Sequence, residues 1–445
     1  MNNLHVIVLA AGQGKRMLSE SAKVMVPLAG KPLLHHVLDT IGELKPTKIY
    51  VVVGYAKDDV IDACADYDVQ WVEQKEQLGT GHAVAQAMPH IPDNATVLIV
   101  YGDTPLIRST TLTSLFPPLT ETGGLAMLVG ELDDPSGYGR VVRSADGQVQ
   151  RIIEHKDASE DVRRIKEINT GIYASLARNL KSWIGMIGNQ NAQGEQYLTD
   201  IVEMAVAESH PVHDQPCRES ETHGVNTPAE LARCESTLRQ RQTNTLMNQG
   251  VRICDPARID IRGELHCGKN VYIDVNCVFE GNVRLGDNTV VGPNNVLSNC
   301  DIGAGTHIKP SCVLEDAAIG DDCEIGPFCR IRPLTTIEDQ VRLGSFVEVK
   351  RSTIGPSSTA KHFSYIGDTD MGASVNIGAG TVTCDYDGHE KHRTIIESGA
   401  FIGSGAMLIA PVRVGTRAFI GAGSVITKDA PGEKLTLSRS EQQTV

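Results

Sequence analysis

The amino-acid sequence predicts an N-terminal α/β domain followed by a C-terminal parallel β-helix. Two observations support this prediction: strand-like and helix-like segments alternate over roughly the first 225 residues, and a repeat of six residues begins near Val251. A chain of 445 residues is too long for one ordinary domain, so two or three are expected.

The N-terminal part predicts a doubly wound sheet. Its helix candidates are Leu33–Leu44 and Gly81–Met88, and their alternation with strands is typical of α/β folds. Ligands of such sheets bind at the carboxyl ends of the strands, so we expect a site near the loop after Leu9 and near Tyr101–Asp103. The predicted buried strands are "VIVLAAG" (6–12), "IYVVVGY" (49–55) and "TVLIVYGD" (96–103).

A connecting helix and a solenoid follow. Residues 227–250 have Pro near the start, Leu and Ala at helical spacing and a closing Gly, which predicts one helix. Beyond it, segments such as "LGDNTV", "IGAGTH" and "IGDDCE" begin with an aliphatic residue and carry a small residue four places later. Three such repeats form one coil of a parallel β-helix, and stacked coils supply the core. Cys312, Cys323 and Cys329 occupy the small position, which predicts buried fillers rather than catalytic thiols.

Composition excludes several classes of function. The net charge of −14 argues against nucleic acid or a membrane surface as a partner. The start "MNNLHVIVLAAG" has no basic segment of a signal peptide, and no apolar run is long enough to span a bilayer. Eleven cysteines without a CxxC pair favour reduced thiols over disulfides or zinc. We therefore expect a cytoplasmic protein.

Two glycine-rich turns indicate a nucleotide site. "LAAGQGKRM" offers backbone N–H groups and two cations after a strand, although it has neither the P-loop nor the GxGxxG spacing. "EQLGTGHA" (76–83) is a second such turn, at the start of a helix. Asp103 lies at a strand end, where it could hold a hard divalent metal such as Mg²⁺ together with substrate phosphates.

The ordered motifs resemble a known family over nearly the whole chain. "LAAGQGKRM", "QKEQLGTGHA", "YGDTPL", "GYGR", "EHKDA", "EINTGIY", "NAQGEQYLTD" and "GVN" resemble the sugar-1-phosphate nucleotidyltransferases. Their order is similar to that of the bifunctional bacterial N-acetylglucosamine-1-phosphate uridyltransferases / glucosamine-1-phosphate acetyltransferases. The resemblance implies a Rossmann-like mixed sheet in a uridyltransferase domain (1–226), a linker helix (227–250) and a left-handed β-helix acetyltransferase domain with a short C-terminal tail (251–445).

The resemblance also implies roles for residues of the first domain. Asp103 and Asn226 would hold Mg²⁺, and Arg16 and Lys23 would neutralise the triphosphate during transfer. The sugar and its N-acetyl group would contact Gly139, Glu154 and Asn169. UTP would contact Leu9, Ala10, Ala11, Gly12, Lys23, Gln74, Gly79 and Thr80, with Gln74, Gly79 and Thr80 at the uracil. Tyr101, Gly102, Asp103 and Asn226 are also expected to bind substrate.

In the β-helix, functional residues are expected where the period of six is interrupted. The polar stretches 348–368 and 383–399 are such interruptions. A single histidine is usually a surface or packed residue, but "KHFSYIGD" resembles the acetyltransferase signature, which makes His362 the general base. The resemblance assigns Glu348 to orienting this base. It assigns the sugar phosphate to Arg332 and Lys350, and the sugar to Tyr365, Asn376 and Lys391. Acetyl-CoA binding is assigned to Ala379, Asp385, Tyr386, Ser404, Ala422 and Arg439.

Two positions depart from the family's pattern. Ala22 stands where a proline usually precedes Lys23, which removes stiffness and keeps the charge. Asp385 stands in "CDYDG" where the family usually has Asn. If its side chain is used, the added negative charge would raise the pKa of His362 and shift the pH optimum of acetyl transfer upward. If only its carbonyl is used, nothing is lost.

The motifs distinguish three possible functions. The bifunctional enzyme, taken to be a homotrimer with shared acetyltransferase sites, accounts for both halves. A nucleotidyltransferase whose β-helix is only a scaffold or regulatory domain would not need His362, Asn376, Tyr386 and Lys391 together. A protein that merely binds a sugar nucleotide would not need the pair Asp103 and Asn226.

Overall fold

The chain folds into two units, Met1–Thr237 and Leu238–Val445. The structure is a computed structural model that describes residues 3–14, 17, 22–440 and 442–444. The division between the units falls within the helix Pro228–Asn248, close to the helix expected at 227–250. The functional bounds 1–226, 227–250 and 251–445 stay a prediction.

The first unit is built on a mixed sheet, as predicted. Its strand order is β11-β7-β10-β6-β1-β4-β5, with β8 and β9 forming a hairpin beside β10. Most neighbouring strands are parallel, but β10 runs antiparallel to both β6 and β7. The strands are β1 Leu4–Leu9, β2 Pro27–Leu28, β3 Lys31–Pro32, β4 Lys48–Val53, β5 Gln70–Glu73, β6 Thr96–Tyr101, β7 Leu125–Glu131, β8 Arg140–Arg143, β9 Val149–Ile153, β10 Glu167–Leu176 and β11 Val212–Pro216; β2 and β3 form a separate pair.

Helices connect these strands and bury their apolar faces against the sheet. The predicted helices at 33–44 and 81–88 are present within one residue of each predicted end, as α1 and α3. In α1 the buried residues recur at helical spacing, with Leu34, Val37, Leu38 and Ile41 facing the sheet. The helices are α1 Leu33–Glu43, α2 Lys57–Ala63, α3 Thr80–Ala87, α4 Ser109–Thr113, α5 Phe116–Thr122, α6 Glu160–Arg163, α7 Ala177–Ile184, α8 Asp200–Ala207, α9 Glu219–Thr222 and α10 Pro228–Asn248, with 3₁₀ turns at Lys23–Met25, Met88–His90 and Pro256–Arg258.

The second unit is a parallel β-helix, which confirms the architecture predicted from the six-residue repeat. Its short strands stack in parallel from coil to coil. One stack contains Arg252–Ile253, Tyr272–Ile273, Val290–Val291, His307–Ile308, Glu324–Ile325, Arg342–Ser345, Thr359–His362, Asn376–Ile377, Phe401–Ile402, Phe419–Ile420 and Leu435–Thr436. The other strands are Ile259–Cys267, Cys277–Leu285, Val296–Ser298, Asp301–Ile302, Val313–Glu315, Ala317–Ile319, Arg330–Ile331, Thr335–Ile337, Glu348–Lys350, Thr353–Ile354, Tyr365–Gly367, Thr369–Met371, Val382–Cys384, Thr394–Ile396, Met407–Ile409, Val412–Val414 and Val425–Ile426.

Aliphatic side chains form the core of this β-helix. Ile308, Ile325 and Leu343 lie above one another in adjacent coils and are buried. Equivalent residues are 17 or 18 positions apart in most coils. They are 25 apart where the polar stretch 383–399, the polar loop, is inserted. The insertion therefore projects from the solenoid without breaking its core.

The cysteines behave as the sequence predicts. Cys312, Cys323 and Cys329 are buried in the β-helix core. All eleven cysteines lie in the described part of the chain and are free thiols. Burial raises the pKa of the Cys277 thiol to about 11, which makes it a poor nucleophile. Within the described ranges, no helix is both long and apolar enough to cross a membrane.

Candidate functional site

A cavity of about 370 Å³ opens at the carboxyl ends of β1 and β6. The main chain of Leu9 accepts a hydrogen bond from the Gly102 N–H at 3.0 Å, which joins the two strand ends. Gly102 packs behind the cavity, against Leu34 and Val24. The cavity lining includes eleven of the predicted substrate-binding residues, two of which, Asp103 and Asn226, are also the predicted metal ligands: Leu9, Ala10, Ala11, Gly12, Lys23, Gln74, Gly79, Thr80, Tyr101, Asp103 and Asn226.

Asp103, Asn226 and Lys23 meet at one edge of this cavity. Lys23 Nζ forms an ion pair with Asp103 and donates to Asn226 Oδ1 at 2.9 Å. The Val225 N–H donates to the Asp103 carbonyl at 2.9 Å, which brings the segment before Asn226 to the strand end. The side chains of Asp103 and Lys23 are 15% and 13% exposed, so the pair is largely shielded from water.

This oxygen pair fits a hard divalent cation. A carboxylate and an amide carbonyl converge on a single cationic nitrogen, where a metal would find two oxygen ligands and open positions for phosphates and water. Asp103 and Asn226 are therefore the residues that could hold a metal. They come from distant parts of the sequence, at the end of β6 and before α10.

The glycine-rich loop lies against Lys23. Gly14 has φ +66°, and a Cβ added there would lie 2.5 Å from Lys23 Cβ, so only glycine allows this approach. Lys23 begins a 3₁₀ turn, Lys23–Met25. Ala22, which stands at the position of the usual proline, precedes this turn with φ −55° and ψ 137°. Lys15 and the predicted catalytic Arg16 lie outside the described residues.

A second cavity of about 370 Å³ adjoins the first and shares Thr80, Tyr101, Asp103 and Asn226 with it. It contains the three residues predicted to bind the sugar, Gly139, Glu154 and Asn169. The Asn169 N–H donates to the Gly139 carbonyl at 2.9 Å, so two of them are joined directly. Burial raises the pKa of the Glu154 carboxyl, while a hydrogen bond from the Thr199 hydroxyl at 3.2 Å partly offsets this.

Sequence reasoning missed several residues of these cavities. Gln77 donates from Nε2 to the Ala11 carbonyl at 2.8 Å and so bridges the two glycine-rich turns. Glu195 lines both cavities, and Thr199 lines the second. Glu195 and Thr199 belong to the motif "NAQGEQYLTD", which could have pointed to them. The motif alone does not show which of its polar side chains face the cavities.

In the β-helix, the structure brings a cluster of basic and acidic side chains together beside the polar loop. The Asp385 carboxylate lies 3.4 Å from Lys391 Nζ and 4.0 Å from Lys350 Nζ. Asp368 pairs with Arg351 at 2.7 Å and with Lys350 at 3.9 Å. Lys391 and burial hold the pKa of Lys350 below its ordinary value. Arg351, Asp368 and Lys391 also line a cavity of about 430 Å³.

The other predicted sugar-phosphate residues lie on neighbouring coils. Arg332 Nη1 donates to Glu348 Oε1 at 3.0 Å, and Glu348 pairs in register with Tyr365 on the next coil. Burial raises the pKa of the Tyr365 phenol, and the charge of Asp385 adds to this. Asn376 accepts a hydrogen bond from the Thr359 hydroxyl at 3.1 Å, within the strand stack that contains His362.

His362 is exposed at the end of the strand Thr359–His362. A column of turns passes beside it: the Gly380 N–H donates to the Phe363 carbonyl at 3.0 Å, and the Gly405 N–H donates to the Ala379 carbonyl at 2.7 Å. The column continues through Ser404 and Ala422, and Arg439 Nη1 donates to the Ala422 carbonyl at 3.1 Å. The structure thus aligns four of the residues predicted to bind acetyl-CoA: Ala379, Ser404, Ala422 and Arg439. Tyr386 is exposed on the polar loop.

Profiles of known families match both units. Residues 6–178 match the MobA-like NTP transferase domain, residues 261–362 the GMPPB C-terminal domain, and residues 393–428 the bacterial transferase hexapeptide with six repeats. The chain is 51% identical to the bifunctional protein GlmU of Azoarcus sp. strain BH72, over 99% of this chain and 98% of the relative. The chain belongs to the GlmU family.

Other GlmU relatives support the same conclusion. The proteins of Marinobacter nauticus and of Legionella pneumophila strain Paris are each 48% identical to the chain. The matches cover 100% of this chain in both cases, and 98% and 97% of the relatives. The similarity to GlmU therefore covers both units, including the β-helix.

Proposed function

We propose that the chain makes UDP-N-acetylglucosamine in two reactions. The β-helix transfers an acetyl group from acetyl-CoA to glucosamine-1-phosphate. The α/β unit then transfers a uridyl group from UTP to N-acetylglucosamine-1-phosphate and releases pyrophosphate. The observation that carries the proposal is the pair of adjoining cavities that share Asp103 and Asn226, because uridyl transfer requires a nucleotide and a sugar phosphate side by side.

Uridyl transfer needs positioning and charge neutralisation rather than proton transfer. A phosphate oxygen of the sugar phosphate attacks the α-phosphorus of UTP, and the bond to pyrophosphate breaks. Both reactants are anions, so a cation at the junction lowers the barrier. Lys23 lies at this junction with its ammonium group already held by Asp103 and Asn226, and Arg16 is proposed to assist it.

Mg²⁺ is the proposed metal. Asp103 and Asn226 would hold it, and when bound it would supply positive charge to the reacting phosphates. The ammonium of Lys23 now contacts both oxygens, so we infer that Lys23 turns toward the triphosphate when a metal takes its place. Gln74, Gly79 and Thr80 are proposed to hold the uracil, and Gly139, Glu154 and Asn169 the acetylated sugar.

For acetyl transfer, His362 is the proposed general base. The amine of glucosamine-1-phosphate is protonated in water, and only the neutral amine attacks a thioester. His362 accepts one proton of the ammonium group, and the neutral nitrogen attacks the acetyl carbonyl. The C–S bond then breaks, and the second proton of the nitrogen passes to the departing CoA thiolate. Arg332 and Lys350 are proposed to bind the phosphate, and Lys391 the sugar. The column Ala379–Ser404–Ala422–Arg439 is the proposed path of acetyl-CoA.

We also propose a homotrimer. Phe328, Phe346 and Phe363 stack on one corner of the β-helix, with ring centroids 5.1 and 5.2 Å apart. They are 50%, 53% and 65% exposed in the single chain, which is unusual for stacked aromatic residues and favours a covered surface. Phe363 is adjacent to His362, so this surface would place the acetyltransferase site between chains. Free cysteines throughout favour a reducing compartment, and we propose the cytoplasm.

The experiment measures each half-reaction separately. We expect the protein to form N-acetylglucosamine-1-phosphate from glucosamine-1-phosphate and acetyl-CoA, and UDP-N-acetylglucosamine when UTP and Mg²⁺ are added. His362→Ala should abolish acetyl transfer and leave uridyl transfer intact, and Asp103→Asn should do the reverse. Loss of both activities in either variant would contradict two separate sites. An activity limited to uridyl transfer in the parent protein would favour a scaffold role for the β-helix.

A further inference from the structure

His82 lies between two glutamine amides at the nucleotide cavity. It belongs to α3, which begins directly after the second glycine-rich turn. Gln74 Nε2 is 3.0 Å from His82 Nδ1, and Gln86 Nε2 is 3.1 Å from His82 Nε2. A neutral imidazole has one acceptor nitrogen, so it cannot accept from both amides. One of the two glutamines must present its oxygen to the ring instead.

The Gly79 carbonyl and the burial of Gln74 together decide which glutamine donates to His82. Gln74 Nε2 also lies 3.1 Å from the Gly79 oxygen, and a carbonyl can only accept. The Gln74 nitrogen must therefore face Gly79, and its second hydrogen reaches His82 Nδ1. Gln86 Nε2 also lies 3.2 Å from the His82 main-chain oxygen. Gln86 is only half-buried, so water can replace that contact when its amide turns, whereas Gln74 is 4% exposed and has little freedom to reorganise. The consistent arrangement has the proton of His82 on Nε2, with Gln86 presenting its oxygen there.

This arrangement leaves the Gln74 carbonyl oxygen for a ligand. Both hydrogen bonds described for the Gln74 side chain use Nε2, and Gln74 lines the nucleotide cavity. Uracil carries an N–H donor at N3, where cytosine carries an acceptor lone pair. A fixed carbonyl oxygen accepts from the first base and repels the second at that position.

We propose that His82 is a positioning residue that locks the Gln74 amide with its oxygen toward the base, and thereby makes the site select uracil over cytosine. The inference rests on the proposed uridyl transfer and on the assignment of Gln74 to the base. His82 itself contacts Gln74 and acts through that side chain. Without an acceptor at His82 Nδ1, the amide keeps only the Gly79 contact and turns more easily.

The test compares kcat/KM for UTP with kcat/KM for CTP. His82→Phe keeps an aromatic ring without nitrogen, and His82→Ala removes the ring in case the larger variant fails to fold. His82→Asn is the matched control, because its Oδ1 can accept from Gln74 at the position of Nδ1. We expect the UTP/CTP ratio to fall about 5- to 10-fold in His82→Phe and His82→Ala, as for loss of one hydrogen bond. In His82→Asn the ratio should stay within about 2-fold of the parent value.

A purely structural role for His82 predicts a different result. Damage to α3 would lower kcat/KM for both nucleotides equally, and the ratio would not move; that outcome overturns the inference. An equal fall of the ratio in all three variants would overturn it too, since His82→Asn retains the acceptor. Failure of the proposed function is distinguishable, because the parent protein would then show no uridyl transfer from UTP at all.

Discussion

Asp385, which stands in the polar loop where the family usually has Asn, is predicted to weaken binding of glucosamine-1-phosphate, and Asp385→Asn tests this. The carboxylate is 9% exposed and lies 3.4 Å from Lys391 Nζ and 4.0 Å from Lys350 Nζ, the two lysines proposed to bind the sugar and its phosphate. Burial opposes ionisation, but contact with Asp368 and the charge of Lys391 outweigh it, so the pKa of Asp385 lies below its usual range. At neutral pH the carboxylate is therefore a negative charge that competes with the incoming phosphate.

The size of the effect follows from these distances. Unit charges 4 Å apart interact by about 4 kcal/mol at an effective dielectric constant of 20. The Lys391 side chain is 39% exposed, so solvent screening reduces the net value to about 1 kcal/mol. Asp385→Asn should therefore lower the KM for glucosamine-1-phosphate about 5-fold, with kcat nearly unchanged. The gain should shrink in high salt.

The assay is steady-state acetyl transfer at varied glucosamine-1-phosphate, with acetyl-CoA saturating. Asp370→Asn is a matched control, because it also removes one carboxylate from an ion pair, with Arg393, but at an exposed position. This control should change the KM less than 2-fold. An unchanged or increased KM in Asp385→Asn would refute the reasoning. The same variant tests the expected effect of Asp385 on pH dependence: the pH optimum of acetyl transfer should be lower in Asp385→Asn than in the parent protein, and an identical pH profile would contradict this.

Three further predictions follow from the buried groups. Glu154→Gln removes a carboxyl whose pKa is raised by burial. The stability that this carboxyl contributes is present below its unfolded pKa and is lost as the pH rises through its folded pKa. Urea titrations should therefore find the variant more stable than the parent protein at pH 7 and equally stable near pH 4, and a less stable variant at pH 7 would contradict this. Lys23→Ala should lower kcat of uridyl transfer about 100-fold and leave acetyl transfer unchanged, and a fall below 3-fold would remove Lys23 from the mechanism. Ile331→Ala opens a cavity in the β-helix core, where Ile331 is 0% exposed, and should cost about 2–5 kcal/mol of unfolding free energy by chemical denaturation, whereas a loss below 1 kcal/mol would argue against a close-packed core.

Much of the fold was predictable because the periodicity of the sequence is strong. Apolar runs that end in small or polar residues located β1, β4 and β6, and the six-residue repeat located the β-helix. The antiparallel strand β10 was not predicted, because a buried strand reads as the same apolar run in either direction. The bounds of the short strands in the β-helix were not predicted either, because strands of two or three residues leave little signal in the sequence.

The sequence predicted which residues form the candidate sites, but not which of their side chains contact one another. Motif resemblance placed Gln74, Asp103 and Asn226 together, and the structure does bring them to one cavity. It could not reveal that Lys23 joins Asp103 to Asn226 or that Asp385 faces two lysines, because those contacts depend on side-chain directions across distant segments. Gln77 and Thr199 were missed for the same reason.

Complementation between two variants tests the central claim, two independent sites on one chain, most directly. His362→Ala and Asp103→Asn are incubated separately and then together with glucosamine-1-phosphate, acetyl-CoA, UTP and Mg²⁺, and UDP-N-acetylglucosamine is measured by chromatography. Two separate sites predict no product from either variant alone, and product from the mixture, because the acetylated sugar phosphate made by Asp103→Asn diffuses to His362→Ala. No product from the mixture, while the parent protein forms it, would contradict this account.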